Sequence, residues 1–259
     1  MKEVLEYIVD KVNNTPVMKV PDIPYYYLYN ENVWPPDFYD EILKNIPDKS
    51  FYRPLSKMYS NRFIYELAYG ENVSNPLANF SGLGDDKRSF WKEFQIHFIL
   101  NPLLANTYLE KYKDHIHWDT MGKMGLNCRL SKDMKEYSIG VHSDRRNKVF
   151  STLFYLPPKN ITQDLAEHWG TDIMKPKVEL VHDARHHAYN KDGSHDLFEL
   201  YKTVPAHPGA MFSWCVTQQS YHGVNSLTIE GERDSIAFFG KVSKNDAENR
   251  VLLGEGGFK

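Results

Sequence analysis

Two short stretches set a histidine and an aspartate two positions apart. They are His142-Ser143-Asp144 in "GVHSD" and His117-Trp118-Asp119 in "DHIHWDT". With 11 histidines in the chain, a pair of this kind arises by chance about once, so the spacing alone decides little. On a strand, residues i and i+2 face the same way, and either pair then offers an imidazole and a carboxylate to one point. Two histidines and one carboxylate on one face of an octahedron leave three positions open, an arrangement that suits non-haem Fe(II). A third ligand must come from elsewhere, and "SYHGVNSLTIEGERDSIAFFGKV" contains one. His222 stands in a strand-like run, and Arg233 opens the next after ten intervening residues. Two adjacent antiparallel strands would bring them near each other. A guanidinium fork placed there holds a carboxylate by two parallel hydrogen bonds.

The flanks favour His142. It ends the strand-like run "EYSIGV", a sensible position at the mouth of a sandwich. "DHIHWDT", with His115, His117 and Asp119 alternating, resembles the His-x-His of a cupin, but the fourth position after His117 is Met121 rather than Glu. It also continues a helical pattern, which makes a helix end or a structural histidine the better reading there.

The elements that must position these residues can be read in outline. Val4, Leu5, Ile8 and Val12 recur at helical spacing over residues 1–13. "YYYLYN" (25–30) reads as a strand, and "PPDFYDEILKNIP" as a short helix bracketed by prolines. Residues 50–87 look loop-rich. "RSFWKEFQIHFILNPLLANTYLEKYKDHI" is the longest helical pattern, with Phe90, Phe94 and Phe98 four apart and Pro102 dividing it. From about residue 122, short β-branched and aromatic runs alternate with turn signals. Strands are expected near 125–131, 137–144, 148–156, 171–181, 198–204, 210–216, 221–225 and 233–242. This pattern predicts a sandwich or barrel carrying helices on one flank.

The ordered set of motifs resembles the Fe(II)/2-oxoglutarate-dependent dioxygenases of the phytanoyl-CoA and prolyl hydroxylase-like group. The resemblance rests on His142-x-Asp144, "KVFSTLFYLP", "WGTDI", "VPAHPGAMFSW", "YHGV" and "RDSIAFF", and is specific over residues 125–243. "PYYYLYNENVWPPDFYDEILKNIP" also resembles the strand-helix lead-in of such enzymes. The resemblance implies a mainly β fold with flanking helices, a double-stranded β-helix (jelly roll, cupin-like). One domain over 1–259 is expected, with a helical and loop portion 1–121 packing on a jelly-roll core 122–243 and a polar tail 244–259. It further implies that His142, Asp144 and His222 hold Fe(II), with 2-oxoglutarate and O2 as co-substrates. Arg233 would take the distal carboxylate of 2-oxoglutarate, Ser235 on the same face would add a hydrogen bond, Tyr155 would donate its hydroxyl to the same carboxylate, and Ser151 would join it on the inner face as a co-substrate-binding residue. Arg129 is a weaker candidate for substrate or co-substrate beside a surface salt bridge. Asp144 stands where related halogenases carry Ala or Gly, which points to hydroxylation or another oxidation of an unidentified small-molecule or side-chain substrate. Two other classes remain open: a cupin-like metalloenzyme that uses no 2-oxoglutarate, and a non-catalytic β-sandwich binding module.

Composition narrows the partners. A formal charge of −3 gives no electrostatic footprint for nucleic acid. The one basic cluster, Arg145-Arg146-Asn147-Lys148, reads either as a solvated loop or as a binder of an acidic group. Cys128 and Cys215 are too few for a disulfide framework and sit in runs where cysteine packs as a small hydrophobe. No run suits a membrane span or a signal peptide, so a cytoplasmic setting is expected. "VHDARHHAYNKDGSHD" (181–196) reads as a lid or substrate-facing insertion, or as a solvated polar loop.

Overall fold

Period-2 alternation dominates the second half of the chain, and the computed structural model shows it as two facing antiparallel sheets. Residues 1–57, 59, 61–68, 80–116, 124–145, 147–178, 194–228 and 231–242 are described. The helices are α1 (Lys2–Asn14), α2 (Pro36–Asn45), α3 (Asp85–Phe94), α4 (Leu103–Lys111) and α5 (Gln163–His168). The strands are β1 (Met18–Lys19), β2 (Tyr26–Asn30), β3 (Arg53–Pro54), β4 (Arg62–Ala68), β5 (Met124–Asp133), β6 (Ile139–His142), β7 (Lys148–Tyr155), β8 (Thr171–Pro176), β9 (Phe198–Val204), β10 (Met211–Cys215), β11 (His222–Val224) and β12 (Arg233–Val242).

The larger sheet runs β1-β2-β10-β7-β12-β5-β4-β3 and the smaller β6-β11-β8-β9. Strands β5 to β12 alternate between the sheets, apart from the β8–β9 pair, which is the winding of a jelly roll. All eight strands expected after residue 122 are present. Residues 179–193, most of the histidine-rich stretch, lie outside the described residues, as do 117–123 with His117 and Asp119, and the tail from 243.

Alternation gives the larger sheet two distinct faces. Leu28, Phe150, Phe154, Met211, Cys128, Leu130, Ile236 and Phe238 turn outward and pack under α1 to α4. The helices answer with Leu5, Ile8, Val12, Phe38, Trp91, Phe94 and Tyr108, all buried. Trp91 is fully enclosed and its indole donates to the Asn45 carbonyl at 2.8 Å. Both cysteines are free and buried. Pro102 stops α3 from continuing into α4, and the intervening turn over Gln95–Ile99 is π-helical. No described helix is long and apolar enough to cross a membrane.

The amino-terminal portion carries more strand than expected. The stretch 50–87 contains β4, seven residues long, which pairs with β5. β2 also does more than lead in, because it extends the large sheet alongside β10. Arg62–Ala68 (RFIYELA) puts Arg62 and Glu66 on one face and Phe63 and Tyr65 on the other, an alternation lost among the Gly, Asn, Ser and Pro of its flanks. Tertiary pairing to β5 is what fixes it as a strand.

Gly240 marks the tightest packing of the outer face. A Cβ there would lie 2.5 Å from Phe150 Cε1 and 2.7 Å from Met124 Sδ. Gly240→Ala is therefore expected to destabilise the fold by about 1–3 kcal/mol through overpacking. Urea denaturation checks this, with a lower midpoint and an unchanged slope as the expected result.

Candidate metal centre and carboxylate cradle

His142 ends β6 and His222 begins β11, and the two are register partners in the smaller sheet. Their rings lie 4.3 Å apart. Asp144 follows two residues past the end of β6. One ligand atom from each of His142, Asp144 and His222 falls within 4.8 Å of the others.

Backbone carbonyls fix both imidazoles. His142 Nδ1 lies 2.9 Å from the Gly140 carbonyl, and His222 Nδ1 lies 2.9 Å from that of Ser220. A carbonyl can only accept, so each Nδ1 carries the proton and each Nε2 presents a lone pair. Burial, then the neighbouring His222, pushes His142 down to about 3. Burial also pushes His222 below its usual value. Both rings are thus neutral near pH 7, the form that ligates a metal. Burial alone would raise Asp144, but Lys148 and the two histidines hold it well below the usual carboxylate range. The donor set of two neutral imidazoles and one carboxylate fits an octahedral divalent ion with open positions.

Arg233 lies elsewhere than on an adjacent strand. His222 sits in the smaller sheet and Arg233 on β12 in the larger, so the two face each other across the sandwich rather than side by side. Arg233 is 1% exposed. Its Nη1 donates to the Gly170 carbonyl at 3.1 Å, and its Nε lies 3.5 Å from Asp133 Oδ2. Arg62 grips the same Asp133 through Nε at 2.5 Å and Nη2 at 2.7 Å. Arg233 Nη2 and Ser235 Oγ are buried with no hydrogen-bond partner among the described residues. Unpaired buried donors cost about 1–3 kcal/mol each, and a pair of them on one face is a receptor for an acceptor group such as a carboxylate.

The remaining candidates divide. Ser235 pairs with Tyr155 across β7 and β12, so Arg233, Ser235 and Tyr155 share the inner face, as expected. The Arg233 guanidinium lies 5.7 Å from the Tyr155 ring centroid, and the Tyr155 hydroxyl is 2.7 Å from Thr171 Oγ1. Ser151 also faces inward, but its hydroxyl donates to Asp144 Oδ2 at 2.6 Å. Its contact is with the ligand set and not with the cradle, because it lies four positions from Tyr155 along β7. Arg129 is no surface residue: its Nε is buried and its guanidinium lies 5.4 Å from the Phe239 ring centroid.

Three further side chains take part that are not among the candidate site residues. Lys148, part of the basic cluster, opens β7 and donates to Asp144 Oδ1 at 2.5 Å rather than sitting in a solvated loop. Trp214 lays its ring 4.5 Å from His222. Asp133 couples two arginines that are far apart in sequence. Strand alternation from Ser151 would turn Lys148 outward, and only the register irregularity opposite Gly240/Lys241 brings it in, so no local signal marks it.

No protein-family model matches the chain, and no curated protein matches it. Solved structures do resemble it. The non-haem α-ketoglutarate-dependent epimerase SnoN from nogalamycin biosynthesis superposes with a TM-score of 0.50 at 11% identity, over 96% of this chain and 83% of its own. A Pseudomonas putida prolyl-4-hydroxylase gives 0.49 at 11% identity, over 92% and 98%. HygX from Streptomyces hygroscopicus, solved with nickel, 2-oxoglutarate and hygromycin B, gives 0.49 at 11% identity, over 94% and 88%. At such identity the likeness to SnoN is one of fold, the jelly roll already read from the strand order.

Two outcomes follow from this geometry. Asp133→Ala leaves the Arg62 and Arg233 charges facing each other without an anion, and should cost about 3–5 kcal/mol in chemical denaturation. Unfolded imidazoles take up a proton near 6.5, whereas folded His142 resists until about 3. Between those values the unfolded chain binds more protons, so metal-free protein loses stability as pH falls from about 6.5. Each such histidine contributes up to about 1.4 kcal/mol per pH unit. Urea midpoints of chelator-treated protein from pH 7.5 to 4.5 should fall, and His142→Asn should flatten the fall.

Proposed function

We propose that the chain is an Fe(II)- and 2-oxoglutarate-dependent oxygenase, a hydroxylase that releases succinate and carbon dioxide as its substrate is oxidised. The observation that carries this reading is the pairing of two features on facing sheets. A His142/Asp144/His222 donor set stands on one side, and a buried Arg233 with an unpaired Nη2, beside the unpaired Ser235 hydroxyl, stands on the other. A metal site that used no diacid co-substrate would have no need of the second feature. The fold shared with SnoN, itself α-ketoglutarate-dependent, supports the same reading. The reading takes residues 1–259 as one domain, and two buried free thiols suit a cytoplasmic setting.

Fe(II) with 2-oxoglutarate supplies the oxidation of an unactivated C–H bond by O2. The chain's own residues do the positioning. His142 and His222 offer Nε2 because Gly140 and Ser220 hold the opposite ring nitrogen. Ser151 and Lys148 fix the two oxygens of Asp144 and so set the plane of that carboxylate. Arg233, aimed by Asp133 and Gly170, receives the distal carboxylate with Ser235, and the Tyr155 ring covers one side of the guanidinium. The Trp214 indole, packed on His222, keeps water from that flank of the centre.

Anaerobic titration with Fe(II) and 2-oxoglutarate tests this. A bidentate keto acid on Fe(II) gives a weak visible charge-transfer band. Wild type should show it, His142→Ala should lose it, and Arg233→Ala should need about 10- to 100-fold more 2-oxoglutarate, the loss of a charge-assisted bidentate contact. Iron binding without a band would shift the reading to a metalloenzyme that uses no 2-oxoglutarate. No iron binding would leave a non-catalytic sandwich.

A further inference from the structure

Beyond the cradle, the inner face of the larger sheet carries a second concentration of charge. Three cations gather around the Phe239 ring: Lys148 Nζ at 3.9 Å from its centroid, the Arg129 guanidinium at 5.4 Å and Lys241 Nζ at 6.0 Å. Phe239 itself is 5% exposed. The carboxylates acting on these cations among the described residues include Glu66 and Asp144. Glu66 is shared with Arg53 at 3.0 Å, and Asp144 belongs to the donor set. Arg129 Nε is buried without a hydrogen-bond partner among the described residues. Burial, then the Lys148 and Arg129 charges, pushes the Lys241 ammonium down to about 8. Like charges crowded into a half-buried place lower stability, and such arrangements are characteristic of functional sites.

The cluster adjoins the metal centre and is remote from the cradle. Phe239 is the register partner of Ser151, whose hydroxyl reaches Asp144. Lys148 touches both Asp144 and the Phe239 face. Arg233 lies six residues away on the same strand, roughly 20 Å at about 3.3 Å per residue. A five-carbon diacid cannot span that distance, so the cluster does not serve the carboxylate held by Arg233.

We propose that the substrate carries an anionic group, a carboxylate or a phosphate, which Arg129 and Lys241 hold between them at the edge of the Phe239 ring. This rests on the oxygenase reading, and it gives that reading a substrate class. An anion seated there lies next to the Asp144 end of the donor set, and the Phe239 ring favours an apolar or aromatic portion next to the charge.

The test uses the anaerobic protein loaded with Fe(II) and saturating 2-oxoglutarate, with phenylacetate, phenyl phosphate and phenylacetamide as probes. Binding beside the metal perturbs the charge-transfer band, and calorimetric titration of the same probes into metal-free protein reads the cluster independently of it. At least one of the two anions should bind saturably and the neutral amide should not. Whichever anion binds more tightly assigns the group. Arg129→Gln and Lys241→Gln should each raise the half-saturating concentration at least tenfold, with circular dichroism reporting that the variants are folded. Equal binding of all three probes, no binding of either anion, or variants that bind like wild type would overturn the proposal. Loss of the band in probe-free wild type with anion binding retained in calorimetry would sink the oxygenase reading and leave the anion site standing.

Discussion

Asp133 has no solvent-exposed surface, and two guanidiniums end on it. Arg62 comes from β4 and Arg233 from β12, and Asp133 on β5 is the register partner of both. Three neighbouring strands are therefore tied at one level by charge as well as by their ladder. Burying these groups is expensive; the bidentate Arg62–Asp133 pair offsets part of the cost, and Arg233 keeps an unpaired nitrogen. The arrangement also aims Arg233. With Nε turned to Asp133 and Nη1 donating to Gly170, the remaining nitrogen is left to face the space between the sheets.

Labour is divided between the two sheets. The smaller sheet carries the histidines, whose ring orientation is set by carbonyls two residues upstream. The larger sheet carries the charges: the Arg233 cradle at one end of β12 and the Phe239 cluster toward the other. Asp144 is where the sheets meet, since it is presented from beyond β6 while its oxygens are held by Lys148 and Ser151 of β7. Local geometry at the metal centre thus depends on the spacing between sheets, which the aromatic and aliphatic layer of Tyr155, Trp214, Phe212, Ile173 and Val204 sets by packing.

Much of this was legible in the residues. The eight later strands are short, flanked by turn signals and rich in aromatic and β-branched side chains, so alternation locates them. His142, Asp144 and His222 converge as their spacing suggests, and Ser235 shares a face with Arg233 because i and i+2 must. The unread parts depend on long-range register. β4 was obscured because turn residues flank it closely and because its charged face, Arg62 and Glu66, is the one paired beside Asp133 and Arg129. Period-2 counting back from Ser151 turns Lys148 outward, but a register shift between Gly240 and Lys241 leaves Lys148 opposite Lys241 and facing in. The Asp133 link joins residues 71 and 100 positions apart, which no local pattern encodes. The relation of His222 to Arg233 looked like that of neighbours in one sheet, whereas the chain crosses the sandwich between them.

That crossing bears on how the protein is made. β12 lies between β5 and β7, which precede it by about a hundred and about eighty residues, and it pairs with both along most of its length. Until it emerges from the ribosome, the larger sheet exists as two unjoined halves, each with an open edge that invites pairing with another chain. Asp133 waits meanwhile with Arg62 as its partner, and Arg233 arrives at the same moment as the strand that closes the gap. Sheet closure and the arrival of Arg233 are one event in biogenesis, so a chain stalled before residue 233 is exposed to aggregation as well as leaving Asp133 with one arginine.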